Sequence, residues 1–156
     1  LIRAIGVSNF NTDRLIDLVR YNEVVPAVNQ IETNLTAQRH EEHEWMVRLG
    51  IQHEGYMPFS QGRMNEVFDE PSLVAIAEKH GKSVRQVALR YQVQCGVIVI
   101  PKSVHRERIQ ANADIFDFEL SPEEMAAIRA LDRRTPMTGI PESPERVMKI
   151  TGFQLP

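Results

Sequence analysis

Polar side chains able to handle a ligand fall in four short clusters: Ser8-Asn9, Gln30 with Glu32, Glu54 with Tyr56, and Lys102-Ser103. Each stands at the carboxyl end of a short run that reads as a strand: Arg3 to Val7, which mixes β-branched residues with small ones, Ala27 to Ile31, Ile51 to Tyr56, and Val97 to Ile100. In parallel α/β architectures ligands bind where strands end, so four polar clusters in equivalent places point to one binding face. Taken singly, such residues serve as helix caps or satisfy loop backbone. Other chemistries find less support. His40-Glu41-Glu42-His43 lacks the histidine spacing of the zinc-protease motif, and no Cys/His cluster has zinc-ligand spacing, so no metal site is expected. Cys95, the one cysteine, stands near a helix end without a histidine neighbour in sequence and reads as a small hydrophobe. His53 alternates into a strand and reads as a core histidine, and no glycine-rich phosphate-loop string occurs.

The elements that must position these clusters follow from periodicity. Asn11 or Thr12 can cap a helix with Leu15, Leu18 and Val19 on one apolar face. Gln38 to Leu49 reads as a helix with Trp45, Met46 and Leu49 as its core stripe, stopped by Gly50. After a loop through Gln61-Gly62-Arg63, Pro71 opens a helix carrying Leu73, Val74, Ile76 and Ala77, closed by Gly81. Ser83 caps the next, with Val84, Val87, Ala88 and Tyr91 inward, ending at Gly96. Arg106 to Ala113 reads as helix, and Ser121-Pro122-Glu123-Glu124 is a capping box introducing Met125, Ile128 and Leu131. Beyond Arg133 the chain reads as a wrapped tail with a short helix after Ser143-Pro144-Glu145.

Strands beginning near residues 3, 27 and 51 recur every 24 residues, a cadence of repeated strand-helix units. Four parallel strands under crossover helices satisfy either a small doubly wound sheet or half of a (β/α)8 barrel, since a whole barrel needs about 250 residues. The 156 residues are 42% hydrophobic and 25% charged, the profile of a soluble globular domain. With 18 basic and 21 acidic residues the net charge is -3, so no nucleic-acid or anionic-membrane partner is expected, and any anion site must be local. No apolar run approaches a membrane span, and cysteine usage suits a reducing, cytoplasmic setting. The chain opens at Leu1 directly into a strand, and a preceding segment is expected.

The strings GVSNF (Gly6 to Phe10), PAVNQIE (Pro26 to Glu32), IPKS (Ile100 to Ser103), ERIQAN (Glu107 to Asn112) and FDFELS (Phe116 to Ser121) are collinear with the aldo-keto reductase family. Together they resemble its bacterial small-aldehyde and 2,5-diketo-D-gluconate reductase-type members. The resemblance implies a (β/α)8 TIM-type barrel, with residues 1–132 supplying the last four strand-helix units and 133–156 a C-terminal tail. It also implies carbonyl reduction with NADPH.

Position by position, the resemblance places Ser8 and Asn9 on the nicotinamide carboxamide, with Gln30 beside them. A hydroxyl and an amide together can satisfy a carboxamide's donor and acceptor. Tyr56 resembles the aromatic that stacks on the nicotinamide ring. Pro58 and Phe59 fall on the cofactor-phosphate loop, where Met57 replaces the family's usual Ser or Gly. Lys102, Ser103 and Arg108 resemble the group that holds the adenosine 2'-phosphate, favouring NADPH over NADH. Asn112 matches the residue facing the adenine, while Ala111 stands where the family usually has Glu.

The family's proton donor, a Tyr assisted by Lys, Asp and His, belongs to earlier strands and has no counterpart expected here. The resemblance thus implies much of a cofactor site, a small carbonyl substrate, no catalytic residue, and an inactive chain without its partner half. That half is either a missing N-terminal half-barrel or a second copy, because a half-barrel leaves two open strand edges. The alternative is a non-catalytic half-barrel that binds NADP(H) or self-associates.

Overall fold

The structure, a computed structural model, describes residues 2–63 and 65–138, with Met148 and Gly152. Four strands, β1 (Gly6–Ser8), β2 (Val28–Glu32), β3 (Gln52–Tyr56) and β4 (Ile98–Val99), form one sheet in the order β1-β2-β3-β4, every pair parallel. Helix α1 (Thr12–Tyr21) joins β1 to β2, and α2 (His40–Leu49) joins β2 to β3. Two short 3-10 turns, Ser60–Gly62 and Asn65–Asp69, then α3 (Pro71–His80) and α4 (Val84–Gln94), lead to β4, followed by α5 (Arg106–Ala113) and α6 (Pro122–Arg129). The expected loop through Gln61 therefore contains turns of its own.

The helix ends are set by local chemistry. The side chains of Ser83 and Ser121 accept from the amides of Gln86 and Glu124, whose side chains return bonds to the cap amides, completing both capping boxes. Gly50 and Gly81 close α2 and α3 in the left-handed region.

Register sorts the strand residues onto two faces. Ser8, Gln30, Glu54 and Ile98 lie side by side across all four strands, as do Glu32 and Tyr56 on the central pair. One residue along, Val7, Asn29 and His53 align, then Ile31 with Gly55. That second face turns to the helices: Ile31 packs with Leu15 of α1 and with Met46 and Ile51, and Val7 and Phe10 close the cluster. A larger cluster joins Leu73, Ile76 and Ala77 of α3, Val87, Ala88 and Tyr91 of α4, and Ile128 of α6. Gly55 is required by close approach, since a Cβ there would lie 2.9 Å from the Cβ of Thr33 and 3.2 Å from Val97.

Two expectations are corrected. The runs Arg3 to Val7 and Val97 to Ile100 read as buried strands, yet the ladder of the first begins at Gly6, Ile5 adding only its carbonyl to the Ala27 amide (2.8 Å), and the second shrinks to two residues, with Ile98 44% and Ile100 42% exposed. Both are edge strands, and in the second Val97 is buried while Ile98 and Ile100, on the opposite face, are exposed. Trp45 is half-buried rather than core, with the Arg48 guanidinium 5.0 Å above its ring, while Met46 takes the fully buried position. The short helix expected after Ser143 lies outside the described residues.

Candidate functional site

The carboxyl ends of β1, β2 and β3 bring four of the expected residues into one hydrogen-bonded group. The Ser8 hydroxyl donates to the Gln30 carbonyl (3.0 Å), which also receives the Asn9 amide (2.9 Å). The Asn9 side-chain amide donates to Ser8 Oγ (3.3 Å), and its Oδ1 accepts the Tyr56 hydroxyl (3.0 Å). Asn9 has a φ of 57°, a left-handed conformation that asparagine tolerates better than most residues, and this turns its amide back over the strand end. The Gln30 side chain donates across the sheet to Glu54 Oε1, its register partner. Ser8 is exposed and Gln30 and Tyr56 are half-buried, so the group is open to a ligand yet already ordered.

The loop after β3 also takes a left-handed step, at Met57 (φ 57°). A glycine there would carry no steric cost, which gives the Met57 departure from the usual Ser or Gly a physical meaning. Pro58 is buried, and the Phe59 ring turns into the larger core, edge-on to Phe68 at 6.3 Å between centroids. Phe59 can offer this loop its backbone, while its ring is spent on packing.

Lys102, Ser103, Arg108 and Asn112 form a second group on the β4–α5 connection and α5. Lys102 and Arg108 are exposed, Ser103 and Asn112 half-buried, and Ser103 Oγ accepts the His105 amide (3.1 Å). Among the described residues neither Lys102 nor Arg108 forms an ion pair, whereas Arg39, Lys79, Lys82 and Arg133 all do. No hydrogen bond links this charged group to the Ser8–Tyr56 group among the described residues.

Sequence reasoning missed two residues of the site. Glu32, flagged only as polar, is 3% exposed and its carboxylate accepts Met137 N (2.7 Å), Thr138 N (2.8 Å) and Thr138 Oγ1 (2.6 Å). Thr138 Oγ1 in turn lies 3.2 Å from the Tyr56 hydroxyl. The i, i+2 spacing of Gln30 and Glu32 was a usable signal for a shared face, but nothing local in sequence announces Thr138 as their partner.

The remaining titratable groups are structural. His53 is buried, with Nε2 2.7 Å from the Thr33 hydroxyl and Nδ1 3.2 Å from His43 Nδ1. Burial first, then the nearby His43 and Arg39, holds its pKa down to about 3. The single Thr33 hydroxyl proton can go to the Ile31 carbonyl (3.2 Å) or to His53 Nε2 (2.7 Å), and in either case the neutral His53 ring donates from one nitrogen and accepts at the other. Tyr91, buried in α4, donates to Gln38 Oε1, and burial pushes its phenol well above the ordinary range. Burial likewise raises the Cys95 thiol. Among the described residues no group of three potential ligands could hold a metal, and no helix is long and apolar enough to cross a membrane.

Comparison with known proteins adds to this geometry. The sequence profile described as "Aldo/keto reductase family" matches residues 1–133. A glyoxal reductase of Bacillus subtilis is 48% identical over 132 residues, covering 85% of this chain and 47% of that protein. The methylglyoxal reductase DkgA of Salmonella typhimurium is 38% identical over 133 residues, 85% of this chain and 48% of its own length. The crystal structure of the Bombyx mori aldo-keto reductase AKR2E4 in complex with NADP superposes with a TM-score of 0.84 at 38% identity, covering 92% of this chain and 50% of that one. The chain thus spans about half the length of the curated relatives it matches.

Proposed function

Because the chain belongs to the aldo/keto reductase family, and its sheet and helices match half of such (β/α)8 barrels, we propose that it is the cofactor-holding half of an NADP-dependent carbonyl reductase. In this reading residues 1–132 supply the last four strand-helix units and 133–156 the tail. The whole enzyme reduces a small aldehyde or ketone to an alcohol. The observation that carries the reading is the Ser8–Asn9–Gln30–Tyr56 group, prearranged at the strand ends and facing away from the helices.

The residues present fit the cofactor by the chemistry of their donors. Ser8 and Asn9 offer a hydroxyl and an amide to a carboxamide, which fixes which ring face meets the substrate. The phenol of Tyr56, tied to Asn9, holds its ring in place as a flat surface for stacking. Lys102 and Arg108, cations without ion-pair partners, together with Ser103, suit a 2'-phosphate, and Asn112 lies on the same helix for the adenine. When bound, NADPH supplies a hydride to the carbonyl carbon.

The proton for the carbonyl oxygen comes, in this reading, from outside the chain. Tyr91 is buried with its hydroxyl committed to Gln38, Tyr21 is 80% exposed at the far end of α1, and Tyr56 is engaged with Asn9. A general acid must reach the carbonyl oxygen, and none of these is placed to do so. The test is complementation. The 156-residue chain alone should show no NADPH oxidation with simple aldehydes, and mixing it with the first four strand-helix units of a relative should restore turnover. Turnover by the chain alone would overturn the reading.

The exposed Ile5, Ile98 and Ile100 on the edge strands favour a second reading, a non-catalytic half-barrel that binds NADP(H) and pairs its edges with a second copy. Sedimentation of a stable monomer at micromolar concentration would count against that dimer.

A further inference from the structure

Glu32 is a buried carboxylate without a cationic partner among the described residues. Such a charge persists only where several donors replace its lost water. Besides the Asn34 side-chain amide (3.2 Å), its donors are the Met137 amide, the Thr138 amide and the Thr138 hydroxyl, more than a hundred positions away in sequence. Those two residues lie just beyond 1–133, the span that the family profile matches. Glu32 and Tyr56 are direct neighbours in the sheet, so the carboxylate that captures the tail stands beside the aromatic of the candidate site.

Counting protons shows what this contact does. The Thr138 hydroxyl has one proton, and the 2.6 Å bond gives it to the Glu32 carboxylate. The oxygen of Thr138 is then an acceptor 3.2 Å from the Tyr56 hydroxyl, which also has one proton and donates it to Asn9 Oδ1 at 3.0 Å. Tyr56 can serve Asn9 or Thr138, but not both at once.

We propose that Glu32 and Thr138 are positioning residues that latch the start of the tail, Met137 and Thr138, onto the cofactor end of the sheet, so that a ligand amide engaging Asn9 transfers the Tyr56 hydroxyl to Thr138 and tightens that contact. The latch stands on the carboxylate contacts alone; its coupling to a ligand rests on the cofactor reading above. Coupling of this kind is reciprocal: a docked tail favours the bound cofactor as much as bound cofactor favours a docked tail. Met137 and Thr138 then form a fixed wall beside Tyr56.

The test is amide hydrogen exchange at Met137 and Thr138, read by NMR in the 156-residue chain, with the amides of α4 as the folding control. In Glu32→Gln, which replaces a carboxylate by a single weaker acceptor, exchange at both amides should quicken by about tenfold or more while α4 is unchanged. Unchanged exchange at both would overturn the latch. Adding NADP+ should slow the same two amides in the wild-type chain and in Thr138→Ser, but not in Thr138→Val, which keeps the backbone contacts and removes the alternative acceptor. NADP+ binding that leaves these amides unaffected, or slows them equally in Thr138→Val, would overturn the coupling with the cofactor reading intact. Absence of any NADP+-dependent shift, at Asn9 or Lys102 included, would sink both the cofactor reading and the coupling. The Glu32→Gln result would still decide the latch, and should that variant not fold, the contrast between Thr138→Val and Thr138→Ser in the exchange of the Thr138 amide decides it.

Discussion

On the face of the sheet turned to the helices, Val7, Ile31 and His53 sit against α1 and α2, and even the polar members Asn29 and His53 are buried with their hydrogen bonds satisfied within the fold. On the opposite face Ser8, Gln30, Glu54 and Tyr56 are hydroxyl, amide, carboxylate and phenol, each exposed or half-buried; the first three bond in series, and Tyr56 joins them through Asn9. The same strands carry both sets at alternate positions, so one face carries stability and the other is free to carry a ligand. The division explains why the open face can be ordered without being packed. Donors and acceptors near a surface hold their geometry by pairing among themselves until a ligand replaces those bonds. The cations Lys102 and Arg108 stay solvated and wait.

The division can be broken most strongly from the helix side. Ile31→Ala should destabilise the fold by about 2–5 kcal/mol, since Ile31 is 2% exposed and its loss leaves a cavity under α1 and α2. Urea denaturation measures this, and a cost near zero would mean that the outer face does not hold the sheet. Gly55→Ala should cost about 1–3 kcal/mol by forcing Thr33 and Val97 away from β3. Because Gly55 precedes Tyr56, that substitution should also disturb the amide signals of Asn9 and Tyr56.

Acid should weaken the helix-packed side of the fold. His53 has a pKa lowered to about 3 from 6.5, so the folded state binds fewer protons than the unfolded state between those values. Stability is then complete above about pH 6.5 and falls as pH drops toward 3. The limiting slope is about 1.4 kcal/mol per pH unit for one such group. His40 and His43, lowered chiefly by burial, act in the same sense. Glu124 adds loss at lower pH: burial raises its pKa, but bonds from Lys79, the Ser121 amide and His80 outweigh that and bring it down to about 2, so its contribution disappears as pH falls from about 4.5 toward 2. Denaturation at pH 7.5, 5.5 and 4 should show this decline, and His53→Gln should make it shallower between pH 6.5 and 4.5. A flat profile would contradict the placement of His53. The smallest effect is expected from the open face, where Ser8→Ala should change stability by less than about 0.5 kcal/mol.

Much of this was legible in sequence because it is local. The capping boxes at Ser83 and Ser121, the glycine stops at Gly50 and Gly81, the inward faces of α3 and α4, and the burial of His53 all follow from patterns a few residues long. The Ser8–Asn9–Gln30–Tyr56 group was legible as three strand ends, because each residue stands at the carboxyl end of a parallel strand. What escaped depends on distant partners. Of the β1 run, Ile5 contributes its carbonyl to the Ala27 amide and the ladder proper begins at Gly6, leaving Arg3 and Ala4 outside the strand. The inward turn of Phe59 depends on Phe68 and α3, and the Glu32–Thr138 contact on a tail docking from over a hundred residues away. Alternation shows which face a side chain takes, but it carries no record of what arrives to meet it.

The central claim, that this chain holds NADP and reads its 2'-phosphate, is tested most directly by titrating the 156-residue chain with NADPH and with NADH under the same salt, following nicotinamide fluorescence. NADPH should bind at least about tenfold tighter, and Arg108→Ala should remove that preference while leaving NADH binding unchanged. Equal affinity for the two dinucleotides, or an Arg108→Ala loss shared by both, would contradict the account.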